Sequence, residues 1–107
     1  MERLRVQKGV SMNKVTKACS ISAQTRREVI DRDKVCIFCK RQGHQIMHFI
    51  SRGSLGLGIK ENLAFGCINC HRMLDQSEYR TVMLIEFREH LDKFYPEFPD
   101  EKRRYRK

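Results

Sequence analysis

The chain has 107 residues, of which 22 are Lys or Arg and 13 are Asp or Glu, which gives a formal net charge of +9. This length suits one small domain, and with 40% hydrophobic residues and no Trp, apolar burial alone would leave that domain only marginally stable. No stretch approaches the roughly 20 apolar residues of a membrane span, and the first nine residues contain no apolar run like that of a signal peptide. A membrane-spanning protein is therefore excluded and a cytoplasmic one is expected. The charge favours a polyanionic partner, first nucleic acid and second an anionic membrane surface.

The first half of the chain is predicted to begin with a basic flexible arm over residues 1–18. A short helix follows over residues 22–30, and Ser22 is expected to cap it, because a serine side chain can accept from the free N–H groups of a first turn. The run 45–50 is rich in β-formers and predicts a strand. The three glycines within 51–61 predict an irregular loop after it.

The second half is predicted to contain a short strand over 63–65, a helix over about 68–74, and a longer helix over about 77–95 with a serine cap at its first residue. The longer helix carries an apolar stripe at helical spacing, formed by Met83, Leu84, Phe87, Leu91 and Phe94. Prolines end this helix, and the basic tail over 96–107 is expected to be mobile. The pattern gives an α+β fold class with one domain over residues 19–95.

Four of the five cysteines form two CxxC pairs separated by 27 residues: Cys36, Cys39, Cys67 and Cys70. The two-residue spacing lets both sulfurs of a pair reach one tetrahedral Zn²⁺ at about 2.3 Å, and in a reducing cytosol such cysteines bind metal rather than form disulfides. Four thiolates leave no open coordination position, so this zinc would be structural. Buried cysteines without a metal are the alternative. Cys19 lies apart from both pairs and is interpreted as an ordinary small side chain.

Four further polar residues fall between and after these pairs. His48 ends the β-rich run, Asn62 follows after thirteen intervening residues, and His71 follows after eight more. Asp75 lies four residues beyond His71 and therefore on the same face of a helix. Taken singly, each has an ordinary interpretation: a partly buried histidine, a loop asparagine, a helix-surface histidine and an exposed acid.

Taken together, these residues resemble a known family. The strings MHFISR (residues 47–52), ENL (61–63) and CINCH (67–71), set within the two CxxC pairs, are similar to the HNH endonucleases of the ββα-metal (His-Me finger) superfamily. More narrowly, residues 15–107 resemble the small HNH proteins of tailed phages and prophages. The resemblance implies a ββα-metal core with a four-cysteine structural zinc, flanked by an N-terminal helix and a longer C-terminal helix.

The resemblance also implies an activity. A protein of this family would hydrolyse DNA phosphodiester bonds with low sequence specificity, and a single such site would nick one strand. His48 would be the general base and Asn62 would bridge the loop and orient it. His71 would bind a catalytic divalent cation, with Asp75 as a second ligand. The phage setting implies a part in genome packaging with terminase and portal proteins, in the cytoplasm of a bacterial host.

One residue departs from the family pattern. Met47 stands where the family usually has Asp, Glu or His as a metal ligand, and a thioether is a poor ligand for a hard cation such as Mg²⁺. The site would then rely on His71, Asp75 and water, or on Mn²⁺, Ni²⁺ or Zn²⁺, or it would be weak or inactive. His44, upstream of the predicted strand, is a conceivable substitute ligand.

Three cations flank the expected site: Arg52, Lys60 and Arg72. They are candidates for holding phosphates on either side of the scissile one, and solvated surface charge is the alternative. Two other functions remain open at this point. One is a zinc-stabilised nucleic-acid-binding module without catalysis, and the other is an adaptor whose last helix docks a packaging enzyme.

Overall fold

Four α-helices and one two-stranded sheet make up residues 9–106, the part of the chain that the computed structural model describes, with side chains from Lys14 onward. The elements in chain order are α1 (Gly9–Cys19), α2 (Ala23–Asp33), β1 (Gln45–His48), β2 (Leu63–Gly66), α3 (Ile68–Gln76) and α4 (Arg80–Phe94). Short 3₁₀ turns lie at Arg52–Ser54, Lys60–Asn62 and Asp100–Arg103. The expected α+β class is confirmed. No helix in the described range is long and apolar enough to span a membrane.

The sheet and the helix after it bring the candidate residues together. β1 and β2 pair antiparallel, with Gln45 opposite Gly66 and His48 opposite Leu63. The predicted first strand ends two residues early. The two backbone N–H groups that follow His48 donate to the backbone carbonyl and the side chain of Asn62, and the strand pairing does not continue. Helix α3 starts directly after β2 and packs against β1. The order strand, loop, strand, helix therefore places α3 against β1, the strand that ends in His48.

Helix α2 forms the smaller of two apolar clusters. Its predicted cap is confirmed, since Ser22 Oγ accepts from the Thr25 N–H at 3.0 Å. The helix packs on β2, and Val29 is fully buried there in a cluster whose other buried members are Ile46, Leu63 and Phe65. This contact fixes the N-terminal half of the domain against one face of the sheet.

Helix α4 forms the larger cluster. The predicted stripe is confirmed for Met83, Phe87 and Leu91, which are buried; Leu84 is partly buried, and Phe94 is 44% exposed. The expected start at Ser77 is wrong, because Ser77 ends α3 instead: its Oγ donates to the Met73 carbonyl and accepts from the Tyr79 N–H. The chain therefore turns after α3, and α4 begins at Arg80.

The expected flexible arm is wrong over residues 9–18, which are helical, while residues 1–8 lie outside the described part of the chain. Tertiary contacts hold the C-terminal end of α1: the Ala18 carbonyl accepts from the Gly58 N–H at 3.0 Å. The approach is so close that a Cβ on Gly58 would lie 2.0 Å from the Ser20 carbonyl oxygen. Such contacts stabilise a helix that its own sequence favours only weakly.

The expected mobile tail is also wrong over residues 96–106. Arg103 is fully buried, and its guanidinium donates to the carbonyls of Glu61 and Phe98 at 2.6 and 3.1 Å. The backbone on either side pairs with the loop between the strands, through Leu57 N–H to Arg103 O and Tyr105 N–H to Leu55 O. The folded domain thus extends beyond residues 19–95 in both directions.

Candidate functional site

The two CxxC pairs meet in one cluster, which we call the cysteine cluster: Cys36, Cys39, Cys67 and Cys70. Their four sulfurs all lie within 4.8 Å of one another, and the Cys39 and Cys67 sulfurs are 3.7 Å apart. Sulfurs bound to one tetrahedral Zn²⁺ at about 2.3 Å would lie about 3.8 Å apart. The expectation that these residues are positioned to hold a metal ion is confirmed.

Local backbone geometry builds this cluster. After Cys39 the chain turns through Lys40 at φ 67°, and the Lys40 N–H donates back to the Cys36 carbonyl at 3.0 Å. In the second pair, Cys67 caps α3, and its sulfur accepts from the Cys70 N–H at 3.3 Å. Each pair is thus a closed turn that directs both sulfurs to the same side.

The surroundings of the cysteine cluster shift the pKa values of two of its thiols in opposite directions. Burial raises the pKa of Cys36, but N–H groups from both pairs donate to its sulfur and lower that pKa to about 7. Burial and the neighbouring sulfurs raise the pKa of Cys70 well above its usual value. The Cys36 thiol therefore ionises more readily than a free thiol, and its negative charge opposes ionisation of the Cys70 thiol. A bound metal ion would remove this repulsion, and the thiols would release their protons when it binds.

The second group of residues, which we call the histidine site, consists of His48, Asn62, His71 and Asp75. Asn62 is fully buried and cross-links the loop between the strands. Its Oδ1 accepts from the Ile50 N–H at 2.9 Å, and its Nδ2 donates to the carbonyls of Ile50 and Leu57 at 3.1 and 2.9 Å. This amide therefore fixes the backbone that leaves the strand directly after His48.

The His48 ring is held by a contact that the sequence did not reveal. Its Nε2 lies 3.1 Å from the carbonyl oxygen of Cys19, at the end of α1. A carbonyl oxygen only accepts, so Nε2 carries the hydrogen and Nδ1 of the neutral ring keeps its lone pair. Burial lowers the pKa of His48, and Arg52 and His71 lower it further against the opposing effect of the Cys19 carbonyl. The neutral ring, with a basic Nδ1, is thus favoured at neutral pH.

His71 is held in the same way, through one nitrogen. Its Nδ1 lies 2.5 Å from Gln45 Oε1, which as an amide oxygen can only accept. The Nε2 lone pair of the neutral ring then faces Asp75, whose Oδ2 lies 3.5 Å away. Two acceptors this close repel each other unless a proton or a cation lies between them. His71 and Asp75 are both partly exposed, so a cation and its water could reach them.

The structure places the other predicted residues less centrally. Met47 is fully buried in the larger core, in contact range of Gly66, so position 47 faces away from the histidine site. His44 lies in a depression beside the cysteine cluster rather than beside His71. Arg52 is exposed and close enough to lower the pKa of His48. Lys60 and Arg72 are exposed, and no contact ties either side chain to the site.

Two side chains that sequence reasoning missed lie at the histidine site. Gln45 orients His71, and Arg26 on α2 lines the same surface depression of about 410 Å³ as Gln45 and His71. Gln45 could have been noticed, since it begins the strand that ends in His48. Nothing in the sequence signals Arg26, because the packing of α2 on the sheet brings it there.

Comparison of the chain with protein-family models, with curated proteins and with solved structures found no match.

Proposed function

We propose that the chain is a metal-dependent endonuclease of the HNH type that hydrolyses DNA phosphodiester bonds. The observation that carries the proposal is the matched arrangement of two histidines. Each ring is fixed through one nitrogen, His48 by the Cys19 carbonyl and His71 by Gln45, and each is left with a free lone pair on the other. The hydrogen bond made by one ring nitrogen sets the tautomer, so each neutral ring presents the lone pair of its other nitrogen in a fixed position.

His48 is the general base in this proposal. Its Nδ1 takes a proton from the water that attacks phosphorus, while Nε2 keeps its hydrogen bond to Cys19 O. The lowered pKa keeps the ring neutral, and hence competent, at physiological pH. Asn62 is a positioning residue, because its three hydrogen bonds hold the loop backbone against which the base is set.

His71 Nε2 and Asp75 Oδ2 would hold the catalytic divalent cation. The donor set fits a hard or borderline cation that takes two protein ligands and completes its shell with water and phosphate oxygens. Such an ion, when bound, stabilises negative charge on the phosphate and on the leaving 3′ oxygen. Since Met47 is buried in the core, the position that usually supplies another ligand supplies none here.

Charge supports DNA as the substrate. The net charge of +9 and the Arg26 side chain beside His71 favour a polyanion, held through its phosphates and therefore with low sequence specificity. In the same proposal, the cysteine cluster holds a structural Zn²⁺, because four thiolates fill a tetrahedral shell and leave no position for substrate.

The test is cleavage of supercoiled plasmid with Mg²⁺, Mn²⁺, Ni²⁺ and Zn²⁺ in turn. We expect nicked circles from the wild type and a loss of at least about 100-fold in His48→Ala. His44→Ala is the matched control, because His44 is an exposed histidine outside the site. Both variants must keep their cysteine-bound metal. Absence of nicking with every metal, or equal loss in both variants, would overturn the proposal.

A DNA-binding module without catalysis is the second candidate. One observation favours it: among the side chains that the structure describes, residues 14–106, only those of His71 and Asp75 are available to hold a cation at the histidine site. Salt-dependent DNA binding without cleavage under any metal would select it.

A further inference from the structure

A second polar depression, of about 280 Å³, lies beside the loop that follows His48. Two arginines from distant parts of the chain meet there, Arg80 at the start of α4 and Arg104 in the tail. The hydroxyl-bearing residues Ser51 and Ser54 of the loop line its other side. The fold, rather than sequence proximity, therefore gathers two arginines and two serines around one space.

Arg80 is held in place through its side chain, and Arg104 through its backbone. Arg80 Nη1 donates to the Leu74 carbonyl at 2.9 Å, which anchors the guanidinium and leaves its other N–H groups available. The Arg104 backbone forms a β-bridge with Gly56, and its side chain is exposed. Anchored arginines lose less conformational freedom on binding a ligand, so they bind anions better than loose surface lysines.

The charge in this depression is positive. Asp100 is the acid that lines it, and that carboxylate is already paired with Arg88 and, at 2.7 Å, with Arg103. Within residues 14–106, neither Arg80 nor Arg104 forms an ion pair with a carboxylate. Two cationic groups are thus left without a charge partner in the described structure, and an anion would supply it.

The position relative to His48 indicates which anion. Ser51 lies three residues beyond His48, so at most about 10 Å separates their backbones, which is about three nucleotides of rise along one DNA strand. Arg52, the residue after Ser51, is close enough to His48 for its charge to lower the pKa of that ring. A strand held at the histidine site would therefore pass this depression with a phosphate a few nucleotides away.

We propose that the depression formed by Ser51, Ser54, Arg80 and Arg104 binds a backbone phosphate of the nucleic-acid strand, outside the histidine site. The guanidinium groups bind the phosphate oxygens and the serine hydroxyls donate to them, without contact to bases. This inference rests on the DNA-binding part of the proposed function and not on cleavage.

The test measures the salt dependence of binding to a short DNA duplex, in the His48→Ala background and without added divalent cation. One lost phosphate contact makes the negative slope of log K against log salt shallower by about 0.9, which is about an eightfold loss of affinity at 0.1 M salt. We expect this change for Arg80→Gln and for Arg104→Gln. Lys93→Gln is the matched control, because that exposed cation lies beside Glu86 and Glu89 in another depression.

Unchanged slopes in both arginine variants, or an equal change in the control, would overturn the proposal. Because Arg80 also holds the Leu74 carbonyl, Arg80→Lys is included and should retain the slope. If Arg80→Lys loses as much as Arg80→Gln, the loss is structural, and the exposed Arg104 alone decides the outcome. Changed slopes in a protein that never cleaves would support this site and overturn the endonuclease. Cleavage by the wild type, together with unchanged slopes in both arginine variants, would support the endonuclease and overturn this phosphate site.

Discussion

Helix α3 contributes to both candidate sites, since Cys67 and Cys70 at its start join the cysteine cluster, and His71 and Asp75 join the histidine site. The cysteine cluster takes all four donors from two short turns, and most of it is buried at the edge of the larger core. The histidine site instead depends on distant segments: the end of α1 holds His48, and Gln45 of β1 holds His71.

This difference separates stability from activity. The cysteine cluster can be complete as soon as its two turns meet, and a closed set of donors can do no chemistry on a substrate. The histidine site keeps open positions and gains its order from contacts made elsewhere in the fold. We therefore expect changes at the cluster to act on folding, and changes around the histidines to act on the proposed reaction.

The largest effect is expected from breaking the cluster. Cys67→Ser should abolish cooperative unfolding, because a structural zinc contributes on the order of 10 kcal/mol to small domains at neutral pH. Thermal unfolding by circular dichroism, with metal content measured alongside, would report it. Cys19→Ser is the control, because Cys19 is buried but lies outside the cluster, and it should cost no more than about 2 kcal/mol. Similar losses of stability in Cys67→Ser and Cys19→Ser would show that burial of a cysteine, and not metal binding, accounts for the effect.

Asn62→Ala tests the support of the histidine site. It leaves the Ile50 N–H and two carbonyls without their buried partner, so the free energy of unfolding should fall by about 3 kcal/mol. Denaturant unfolding measures this, and the exposed Asn69→Ala should change stability by no more than about 0.5 kcal/mol. Because the cysteine cluster is unchanged, we expect a folded protein in which the proposed nicking is slower. A stability unchanged from that of wild type would contradict the prediction.

Asp33 tests the hydrogen-bond network that ties α2 to β2 and α4, outside both candidate sites. Its buried carboxylate accepts from His90, Arg32 and the Phe65 N–H. Although burial raises its pKa, these hydrogen bonds lower it to about 2 from the usual 3.8. The carboxylate therefore contributes about 2 kcal/mol of stability, fully present above pH 3.8 and lost as the pH falls through 2.

The comparison of Asp33→Asn with wild type measures this contribution. The difference in unfolding free energy should be about 2 kcal/mol at pH 7 and should shrink steadily between pH 4 and pH 2. Metal loss in acid affects both proteins equally and cancels in the difference. Asp31→Asn, at an exposed acid of the same helix, should show no such difference. A difference in unfolding free energy that stays constant down to pH 2 would contradict the assignment of this contribution to the ionised Asp33 carboxylate.

The smallest effect is expected at Arg52. Its positive charge helps to keep the pKa of His48 low, so Arg52→Gln should raise that pKa. In the proposed mechanism, nicking requires neutral His48 and is lost as the pH falls through its pKa, so the acid limb of the rate profile should move to higher pH. The rate on the plateau should change less than the rate on the acid limb. An acid limb that does not move, or moves to lower pH, would contradict this electrostatic effect.

Local patterns in the sequence predicted the parts of the fold that local chemistry determines. The CxxC spacing predicted the cysteine cluster because two residues set the reach of both sulfurs. Ser22 predicted a helix start, and the stripe over Met83, Phe87 and Leu91 predicted the buried face of α4. The bounds of the second strand were predicted to within one residue, since it lies between the loop glycines and the second cysteine pair.

The parts that failed depend on contacts between distant segments. α1 and the tail carry polar, basic sequences, and their order comes from partners that no local pattern reveals: Gly58 for one, Glu61 and Leu55 for the other. The orientation of Met47 into the core, and of Arg26 toward His71, likewise follows only from how the sheet packs. The catalytic, cation-binding and nucleic-acid roles of the predicted residues stay predictions until measured.

The loop between the strands has a consequence for the time course of folding. Residues 55–58 bond to Ala18 on one side and to Arg103 and Tyr105 on the other, so this one loop joins segments from near both ends of the described chain. Contacts over such long sequence separations form slowly, because the loops that they close lose much conformational entropy. During synthesis the cysteine turns and both strands can form early, yet the loop cannot be completed before Tyr105 has left the ribosome. The segment beside the histidines is therefore expected to be the last to become ordered.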